Sequence, residues 1–229
     1  MDRDDAMNNP SDEIRPAAYV VSPTAVTTRP RAIVHIVDDD ATMRDSLSFQ
    51  LGSEGFSVRC YDGAHQLLAA ELPPLGCVLI DFHMPGINGL QLQTLLGERH
   101  VRLPTILMTA FGDMASAVQA MKAGAIDFLE KPFREGELVA AVRLACDRSQ
   151  AIWDASQAAA VASSRIASLT AREHEVLDLL FLGKSNKEIA AILGTSPRTI
   201  DVHRARVQQK LQTRTLPDMV RLVLEARSS

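Results

Sequence analysis

Charged and hydroxyl side chains follow several apolar, strand-like runs of this sequence. They are Asp38, Asp39 and Asp40 after AIVHIV, Asp81 after CVLI, Thr109 after TILM, and Lys131 shortly after DFL. Clustered carboxylates repel each other unless a cation lies among them, and hard oxygen ligands in an incomplete cage suit Mg²⁺. An ionised Asp can attack a phosphoryl group to form an aspartyl phosphate, and a lysine and a hydroxyl can stabilise the transferred group. This set predicts phosphoryl transfer to an aspartate, provided that the fold brings its members together.

The pattern of residues 32–147 predicts the sheet that such a cluster needs. Short β-branched runs alternate with helix-like segments, which is typical of a parallel sheet with right-handed crossovers. The predicted strands are 32–37, 57–61, 77–81, 105–109 and 127–129, and the predicted helices are 43–54, 63–70, 88–98, 113–123 and 135–147. In a doubly wound parallel sheet, function gathers beyond the carboxyl ends of the strands. We therefore expect the charged and hydroxyl residues to converge at one edge.

Each element of this set also has a simpler interpretation. An acidic triplet after a strand is most often a solvated loop or a helix N-cap, and Asp40 is expected to cap the first helix. A lone Lys-Pro pair is usually a turn. The phosphorylation site is favoured because all of these side chains fall at the correct strand ends.

Four motifs add a family resemblance. VHIVDDD, VLIDFHMPG, ILMTAFGD and AGAIDFLEKPF resemble the motifs of response-regulator receiver domains, in particular those of the FixJ type, over residues 32–147. The resemblance implies a (βα)5 sheet of order 2-1-3-4-5, Mg²⁺ as cofactor and Asp81 as phosphoacceptor. The other implied roles are Asp39 as a direct Mg²⁺ ligand beside Asp81, Asp38 as a ligand through water, the backbone carbonyl of His83 as a ligand, Thr109 as the switch hydroxyl, Phe128 as the rotating aromatic, and Lys131, with a cis bond to Pro132, as the phosphoryl partner. The side chains of His83 and Phe111 are expected only to border the site.

The sequence divides into four predicted parts. Residues 1–30 contain four prolines without sustained periodicity and are predicted to be a flexible tail, followed by the receiver domain over residues 31–148. Residues 149–167 are a linker rich in Ala and Ser, a composition that permits either a flexible segment or a helical extension. Residues 168–229 are predicted to form an all-α domain of four helices. Their start signals are Thr170-x-x-Glu173, Ser185-x-x-Glu188, Ser196-Pro197 and Thr215-x-x-Asp218.

The C-terminal part has the form of a helix-turn-helix. One helix ends at Leu193, a turn passes through Gly194, and a second helix runs over residues 197–211. Its expected inward residues are Ile200, Val207 and Leu211. A helix whose outer face carries arginines and small residues can enter a major groove of DNA. An ordinary amphipathic bundle with a solvated basic face is the simpler alternative.

A second resemblance favours DNA binding. LTAREHEVL, NKEIAAILG and SPRTIDVHRARVQQKL are similar to LuxR-type DNA-binding domains over residues 168–226. The resemblance makes residues 197–211 the recognition helix and residues 216–226 a helix for dimerisation, with an apolar stripe of Leu216, Val220 and Val223. The candidate DNA contacts are Lys184, Lys187, Arg198, Thr199, Val202, His203, Arg204, Arg206 and Lys210.

Composition sets further bounds. Residues 31–150 hold 15 acidic and 10 basic side chains, whereas residues 169–229 hold 7 acidic and 10 basic ones, so the two modules are expected to have different partners. The sequence has neither a secretory signal nor an apolar run of roughly 20 residues, which predicts a cytoplasmic protein without membrane association. The three cysteines, Cys60, Cys77 and Cys146, have no CxxC spacing and are predicted to be reduced core residues rather than zinc ligands.

These features predict a two-component response regulator that controls, and in the manner of most relatives activates, transcription. Its expected partners are a sensor histidine kinase, double-stranded promoter DNA, a second copy of the chain after phosphorylation and, as a further candidate, RNA polymerase. No enzymatic activity is expected beyond self-catalysed phosphotransfer and autodephosphorylation. A constitutive DNA-binding regulator is one alternative. A phosphatase of the haloacid-dehalogenase type is another, disfavoured because His83 stands where those enzymes carry a second carboxylate.

Overall fold

A computed structural model of the chain describes residues 30–110 and 114–227. The predicted flexible tail, except for Pro30, and the prediction for Phe111 lie outside the described residues. Within those ranges, no helix combines the length and the apolar character that crossing a bilayer requires.

The described residues form a five-stranded parallel sheet of strand order β2-β1-β3-β4-β5. The strands are β1 (Ile33–Val37), β2 (Ser57–Tyr61), β3 (Gly76–Asp81), β4 (Thr105–Ala110) and β5 (Asp127–Lys131). The predicted fold class and strand order are confirmed. Strand β5 runs two residues beyond its predicted end at residue 129, so that Lys131 is its last residue.

Helices cover both faces of this sheet. Four of them lie in the crossovers: α1 (Ala41–Ser53), α2 (Ala64–Ala69), α3 (Gly89–Glu98) and α4 (Met114–Lys122). On one face Ile36 packs with Leu47 of α1, and on the other face Val37 packs with Leu92 of α3. Neighbouring residues of a strand point to opposite faces, so burial on both faces explains why β1 is apolar at every position except His35.

Helix α5 connects the sheet with the C-terminal region without interruption. It spans Glu135–Ala167, which is 33 residues and a length of about 50 Å. The segment over residues 149–167 is therefore a helical extension, one of the two states that its composition permits. At its start, Ser149 Oγ accepts a hydrogen bond of 3.1 Å from the backbone N–H of Gly76, and near its end Ala162 is buried in the core of the C-terminal bundle.

The described part of the C-terminal region is a bundle of four further helices. They are α6 (Ala171–Phe181), α7 (Asn186–Ile192), α8 (Pro197–Leu211) and α9 (Leu216–Arg227). The inward face of α8 is buried in the bundle core through the predicted residues Ile200, Val207 and Leu211. The predicted start signals are confirmed, since Thr170 with Glu173 and Ser185 with Glu188 form capping boxes, Ser196 caps α8, and Thr215 exchanges hydrogen bonds with Asp218.

The cysteines differ in their environment. Cys77 is buried in β3 and Cys146 is half-buried on α5, where both contribute to the same apolar core. Cys60 is exposed on β2, so the prediction that it is a core residue is wrong. The reason is that β2 is an edge strand, in which Arg59 and Cys60 are exposed.

A buried histidine gives the fold a pH dependence. His35 in β1 is fully buried, its Nδ1 lies 2.9 Å from the Tyr61 hydroxyl, and burial lowers its pKa from 6.5 to about 4. The unfolded chain therefore binds this proton at a pH at which the folded chain does not, and stability falls as the pH drops from 6.5 towards 4. We expect the free energy of unfolding to decrease by about 2 kcal/mol between pH 7 and pH 5 through this group.

Denaturant unfolding of the wild type and of His35→Gln at several pH values checks this expectation. Gln does not titrate, so the stability of the variant should depend less steeply on pH than that of the wild type over this window. Parallel curves for the two proteins would contradict the role given to His35.

Candidate functional site

The carboxyl ends of β1 and β3 bring three carboxylates together. Asp38 and Asp39 directly follow β1, and Asp81 is the last residue of β3, which pairs with β1. One oxygen of each carboxylate lies within 4.8 Å of those of the other two. Asp38 and Asp81 are buried whereas Asp39 is exposed, so the cluster is reached from the solvent on the side of Asp39. The predicted convergence of these three residues is thus present in the fold.

Lys131 lies between two of these carboxylates. Its Nζ donates to Asp81 Oδ1 at 2.7 Å and to Asp38 Oδ2 at 2.9 Å. Burial lowers the pKa of the ammonium, but its bonds to Asp81 and Asp38 outweigh that effect and hold the pKa above its usual value. Burial also raises the pKa of the Asp81 carboxyl, against the effect of the Lys131 hydrogen bond. The peptide bond from Lys131 to Pro132 is cis, as the family resemblance implied.

The backbone around Asp38 is held by contacts that the sequence did not reveal. Asp38 Oδ1 accepts from the backbone N–H of Asp40 at 2.9 Å, and the backbone carbonyl of Asp38 accepts from Arg44 Nη1 at 2.7 Å. Asp40 also caps α1, as predicted, through a bond of 2.8 Å from the N–H of Thr42. The position of Arg44, one turn into the helix that Asp40 caps, was the available signal for its contact.

Gly89 is a second residue that sequence reasoning missed. A β-carbon at Gly89 would lie 2.5 Å from the backbone oxygen of Asp81 and 2.9 Å from the Cα of Phe82. The N–H of Gly89 also donates to the carbonyl of Phe82 at 3.0 Å. The first turn of α3 therefore supports the backbone of Asp81 at a distance that only glycine permits. A glycine directly after the N-cap Asn88, where it has no helix-forming advantage, was the signal in the sequence.

Thr109 and Phe128 lie on the neighbouring strands. Thr109 is buried, and its Oγ1 finds no hydrogen-bond partner among residues 30–110 and 114–227. A buried hydroxyl without a partner is uncommon and calls for an explanation, such as a ligand that the hydroxyl binds. Phe128 pairs with Leu107, two residues before Thr109, so Phe128 and Thr109 belong to the same face of the sheet.

The donor set fits a magnesium ion. The three carboxylates supply hard oxygen ligands on a site that is open on one side, and Mg²⁺ prefers such ligands together with water. His83 is an exposed residue of the loop after β3, and its ring meets that of Phe82 edge-on, with 5.0 Å between the centroids. Its place two residues after Asp81 is consistent with the ligand role implied for its carbonyl, which stays a prediction.

The outer face of α8 presents the predicted DNA-contacting surface. Val202 is 47% exposed, Arg198 and Arg206 are exposed, and within the described part of the chain neither arginine takes part in an ion pair. The two helices of the motif are tied together, because Asn186 on α7 donates to Asp201 and accepts from Arg204 Nη1 at 3.5 Å. Lys187 and Thr199 are also exposed, and His203 is half-buried.

Two of the predicted phosphate-contacting lysines have acidic partners. Lys184 forms an exposed pair with Glu188 at 3.4 Å, which solvent and salt weaken. Lys210 Nζ lies 2.6 Å from Glu173 Oε2, a buried carboxylate, and donates to the Ser168 carbonyl at 3.2 Å. The Lys210 hydrogen bond, with that from the Thr170 N–H, lowers the pKa of Glu173 from 4.5 to about 2. In this arrangement Lys210 joins α8 to the start of α6, and its role as a phosphate contact stays a prediction.

The predicted dimerisation stripe on α9 is partly buried. Val223 is buried in the bundle core, Leu216 packs against that core, and Val220 is half-buried. The physical reason is that α9 packs along the end of α5, whose Ala162 and Ile166 belong to the same core. Val223 is therefore not available to a second copy in this arrangement of α5 and α9, whereas the roles of the half-buried Leu216 and Val220 stay predictions.

Comparison with known proteins places both parts of the chain in families. Residues 34–143 match the response regulator receiver domain, and residues 167–223 match the bacterial regulatory proteins of the luxR family. The class of protein is thus a response regulator with a DNA-binding domain.

Relatives that align with most of the chain identify the family within this class. The transcriptional regulatory protein FixJ of Azorhizobium caulinodans is 44% identical over 194 residues, which are 84% of this chain and 92% of that protein. The solved structure of the response regulator StyR is 38% identical with a TM-score of 0.75, and it covers 86% of this chain and all of that chain. The crystal structure of full-length FixJ from B. japonicum is 40% identical with a TM-score of 0.54, and it covers 88% of this chain and all of that chain. The chain belongs to the FixJ family of two-component response regulators, and it regulates transcription.

Proposed function

We propose that Asp81 accepts a phosphoryl group from a sensor histidine kinase in a Mg²⁺-dependent reaction, and that this modification controls dimerisation and sequence-specific DNA binding. One observation carries the proposal: Asp38, Asp39, Asp81 and Lys131 meet at one sheet edge, where the Thr109 hydroxyl has no hydrogen-bond partner among the described residues. A cytoplasmic location and a contact with RNA polymerase are further parts of the proposal.

The proposed transfer is a displacement at phosphorus. An oxygen of Asp81 forms a bond to phosphorus while the bond from phosphorus to the imidazole nitrogen of the kinase breaks. The imidazole nitrogen keeps the electron pair and takes up a proton. When bound by Asp39, Asp81 and the carbonyl of His83, with Asp38 acting through water, Mg²⁺ would neutralise negative charge on the transferred group. Lys131, already bonded to Asp81, is placed to bind one oxygen of the phosphoryl group.

Thr109 and Phe128 are proposed to transmit the effect of phosphorylation to the face formed by α4, β5 and α5. The proposed phosphoryl group gives Thr109 Oγ1 the acceptor that the described residues do not supply, and the movement of Thr109 makes room for Phe128 to rotate inward. Phe128 lines a surface cleft of about 540 Å³ between β5 and α5, together with Leu144. Leu144 of α5 and the nearby Val118 and Met121 of α4 are large exposed apolar side chains. We propose this face of α4, β5 and α5 as the surface that two phosphorylated copies share.

The division into domains supports a DNA-binding unit that is separate from the receiver domain. The family matches end at residue 143 and resume at residue 167, which agrees with a receiver domain over residues 31–148, a linker over 149–167 and a DNA-binding domain over 168–229. Packing refines this division, because Ala162 and Ile166 of the proposed linker already belong to the core of the DNA-binding bundle. Val223 can contribute to a dimer only if α9 separates from α5.

Phosphorylation of the full-length wild type with acetyl phosphate and Mg²⁺ tests the proposal. Sedimentation velocity reports the oligomeric state, and footprinting on duplexes selected from a random-sequence pool reports DNA binding. We expect dimers and stronger protection after phosphorylation, with two half-sites about one helical turn apart. Identical oligomeric state and protection with and without acetyl phosphate would instead support a constitutive DNA-binding regulator.

The role of the outer face of α8 leads to a prediction for Arg206. Affinity for DNA falls as salt rises, because each phosphate contact releases a counterion from DNA. Arg206→Ala is therefore expected to make the negative slope of log affinity against log salt shallower by about 1. Fluorescence titration of a short mixed-sequence duplex at several salt concentrations measures this slope. Arg221→Ala is the matched control, because Arg221 is an exposed arginine of α9 that pairs with Glu225. An equal loss of slope in both variants would contradict the assignment of α8 as the DNA-contacting helix.

A further inference from the structure

A surface cleft of about 350 Å³ lies at the end of the sheet that faces away from the phosphorylation site. Leu72 and the two prolines after it form one wall, Val101 and Leu103 belong to a second wall, and Trp153 of α5 belongs to a third. The first two walls precede β3 and β4, so the cleft lies at the amino ends of these strands, whereas Asp81 is at a carboxyl end. The cleft is mostly apolar and has no role in the proposed phosphoryl transfer.

The position of Trp153 in the cleft is fixed by a contact between the helix and the sheet. Ser149 Oγ accepts a hydrogen bond of 3.1 Å from the backbone N–H of Gly76. Trp153 follows Ser149 by four residues, so the two share one face of α5. Trp153 is half-buried, which leaves part of its side chain uncovered by the described residues. It is also the one tryptophan of the chain, so its fluorescence reports on this cleft alone.

The N-terminal 29 residues join the sheet beside this cleft. Ile33, the first residue of β1, donates its backbone N–H to the carbonyl of Leu75 at 3.1 Å, and Leu75 directly follows the wall formed by residues 72–74. The apolar run AAYVV, residues 17–21, ends nine residues before Pro30. Nine residues of extended chain span about 30 Å. The run can therefore reach the cleft from the start of β1 without any rearrangement of the sheet.

The N-terminal segment also matches the cleft in chemistry. AAYVV is the longest apolar run among residues 1–29, and it offers an aromatic ring and two β-branched side chains to apolar walls. Five of the first 13 residues are acidic and one is basic. The cleft carries the exposed Arg102, and none of the described residues that line it is acidic. The charges of the segment and the cleft are therefore complementary.

We propose that residues 17–21 of the same chain dock in this cleft, with Tyr19 against Trp153 and with Asp12 and Glu13 on the side of Arg102. Because the segment is tethered at β1, its effective concentration at the cleft is on the order of millimolar, so weak contacts are sufficient. The docked segment would contact both the sheet and α5. It would thus add to the Ser149 contact that holds the start of the helical extension against the receiver domain.

The fluorescence of Trp153 tests the proposal in the full-length protein. The wild type is compared with a triple variant that carries Tyr19→Ser, Val20→Ser and Val21→Ser. Loss of the apolar segment should expose the indole ring to water, so we expect a red shift of the emission maximum and steeper quenching by acrylamide. Val26→Ser is the matched control, because Val26 lies in the same N-terminal segment but outside residues 17–21, and its emission and quenching should equal those of the wild type.

Photo-crosslinking identifies what occupies the cleft. Full-length protein with the substitution Tyr19→p-benzoylphenylalanine is irradiated, and the linked peptides are identified by mass spectrometry. We expect links within one chain to residues 72–74, 100–103 or 152–156. The proposal is overturned if the triple variant has the emission and quenching of the wild type. It is also overturned if no link to these residues forms, or if the links join two copies of the chain, which would make a second copy the occupant.

Discussion

Replacing Asp81 with Asn is expected to abolish incorporation of a phosphoryl group from acetyl phosphate in the presence of Mg²⁺. The amide nitrogen and oxygen of Asn are not nucleophiles for this reaction, whereas the carboxylate of Asp81 is. The oxygen of Asn can still accept the hydrogen bond that Lys131 now donates at 2.7 Å, so the fold around the site should be retained. Intact-protein mass spectrometry before and after incubation measures the incorporation directly.

Asp62→Asn is the matched control for this experiment. Asp62 directly follows β2 at the same edge of the sheet, but its side chain is exposed and lies outside the cluster of Asp38, Asp39 and Asp81. The control should therefore be phosphorylated like the wild type. Equal incorporation into the Asp81→Asn variant would refute the assignment of Asp81, and loss of incorporation in the control would show that the effect is not specific to the cluster.

Replacing Lys131 with Met is expected to lower the free energy of unfolding by about 3 kcal/mol in buffer without divalent cations. Removing one partner of a buried ion pair leaves its counterpart charged and without compensation. Here two carboxylates lose their partner at once, and the side chains of Asp38 and Asp81 are only 2% and 10% exposed. Denaturant unfolding of the wild type and the variant measures the difference.

Magnesium should reduce this difference, because the cation and the Lys131 ammonium neutralise the same carboxylates. A ligand that binds the folded chain stabilises it by mass action, so Mg²⁺ should stabilise the variant more than the wild type. Arg143→Met serves as the control, since the pair of Arg143 with Glu54 is largely exposed and should contribute less than about 1 kcal/mol. A variant at Lys131 with wild-type stability in both buffers would show that the ammonium does not balance the two carboxylates.

The sheet could be predicted from the sequence because its strands are buried on both faces. Residues of β1 and β3 are apolar at every position up to a polar residue at the strand end, apart from His35 and Gly76, and that break marked Asp38 and Asp81. Because the carboxyl ends of parallel strands meet at one edge of the sheet, Lys131 could then be predicted to lie near Asp81, about fifty residues away in the chain. The helix N-caps could also be predicted, since a capping box such as that of Thr170 and Glu173 lies within one helical turn of the sequence.

What escaped prediction depends on contacts between distant segments. The Ala- and Ser-rich run 149–167 permitted either a coil or a helix, and the bond from Gly76 to Ser149 that fixes its start crosses 73 positions of sequence. The apolar stripe of α9 was visible, but a stripe shows only that a face is covered, and here Val223 is covered by the core that α9 shares with α5. Lys210 was one of several basic residues until the buried carboxylate of Glu173 singled it out.

Because α5 is an unbroken helix, its number of residues fixes how the C-terminal bundle is rotated relative to the sheet. Ser149 fixes one end of the segment to the sheet, Ala162 fixes the other end to the bundle, and the turns between them are continuous helix. Each residue of an α-helix adds about 100° of rotation and about 1.5 Å of rise. Adding one residue between these anchor points would thus swing the DNA-contacting face of α8 by more than a quarter of a full circle around the axis of α5, while lengthening the molecule by less than the width of an atom. The number of residues in α5 therefore sets the rotation of the DNA-binding bundle about the helix axis relative to the phosphorylation site. Only insertions near whole multiples of a helical turn would preserve this rotation.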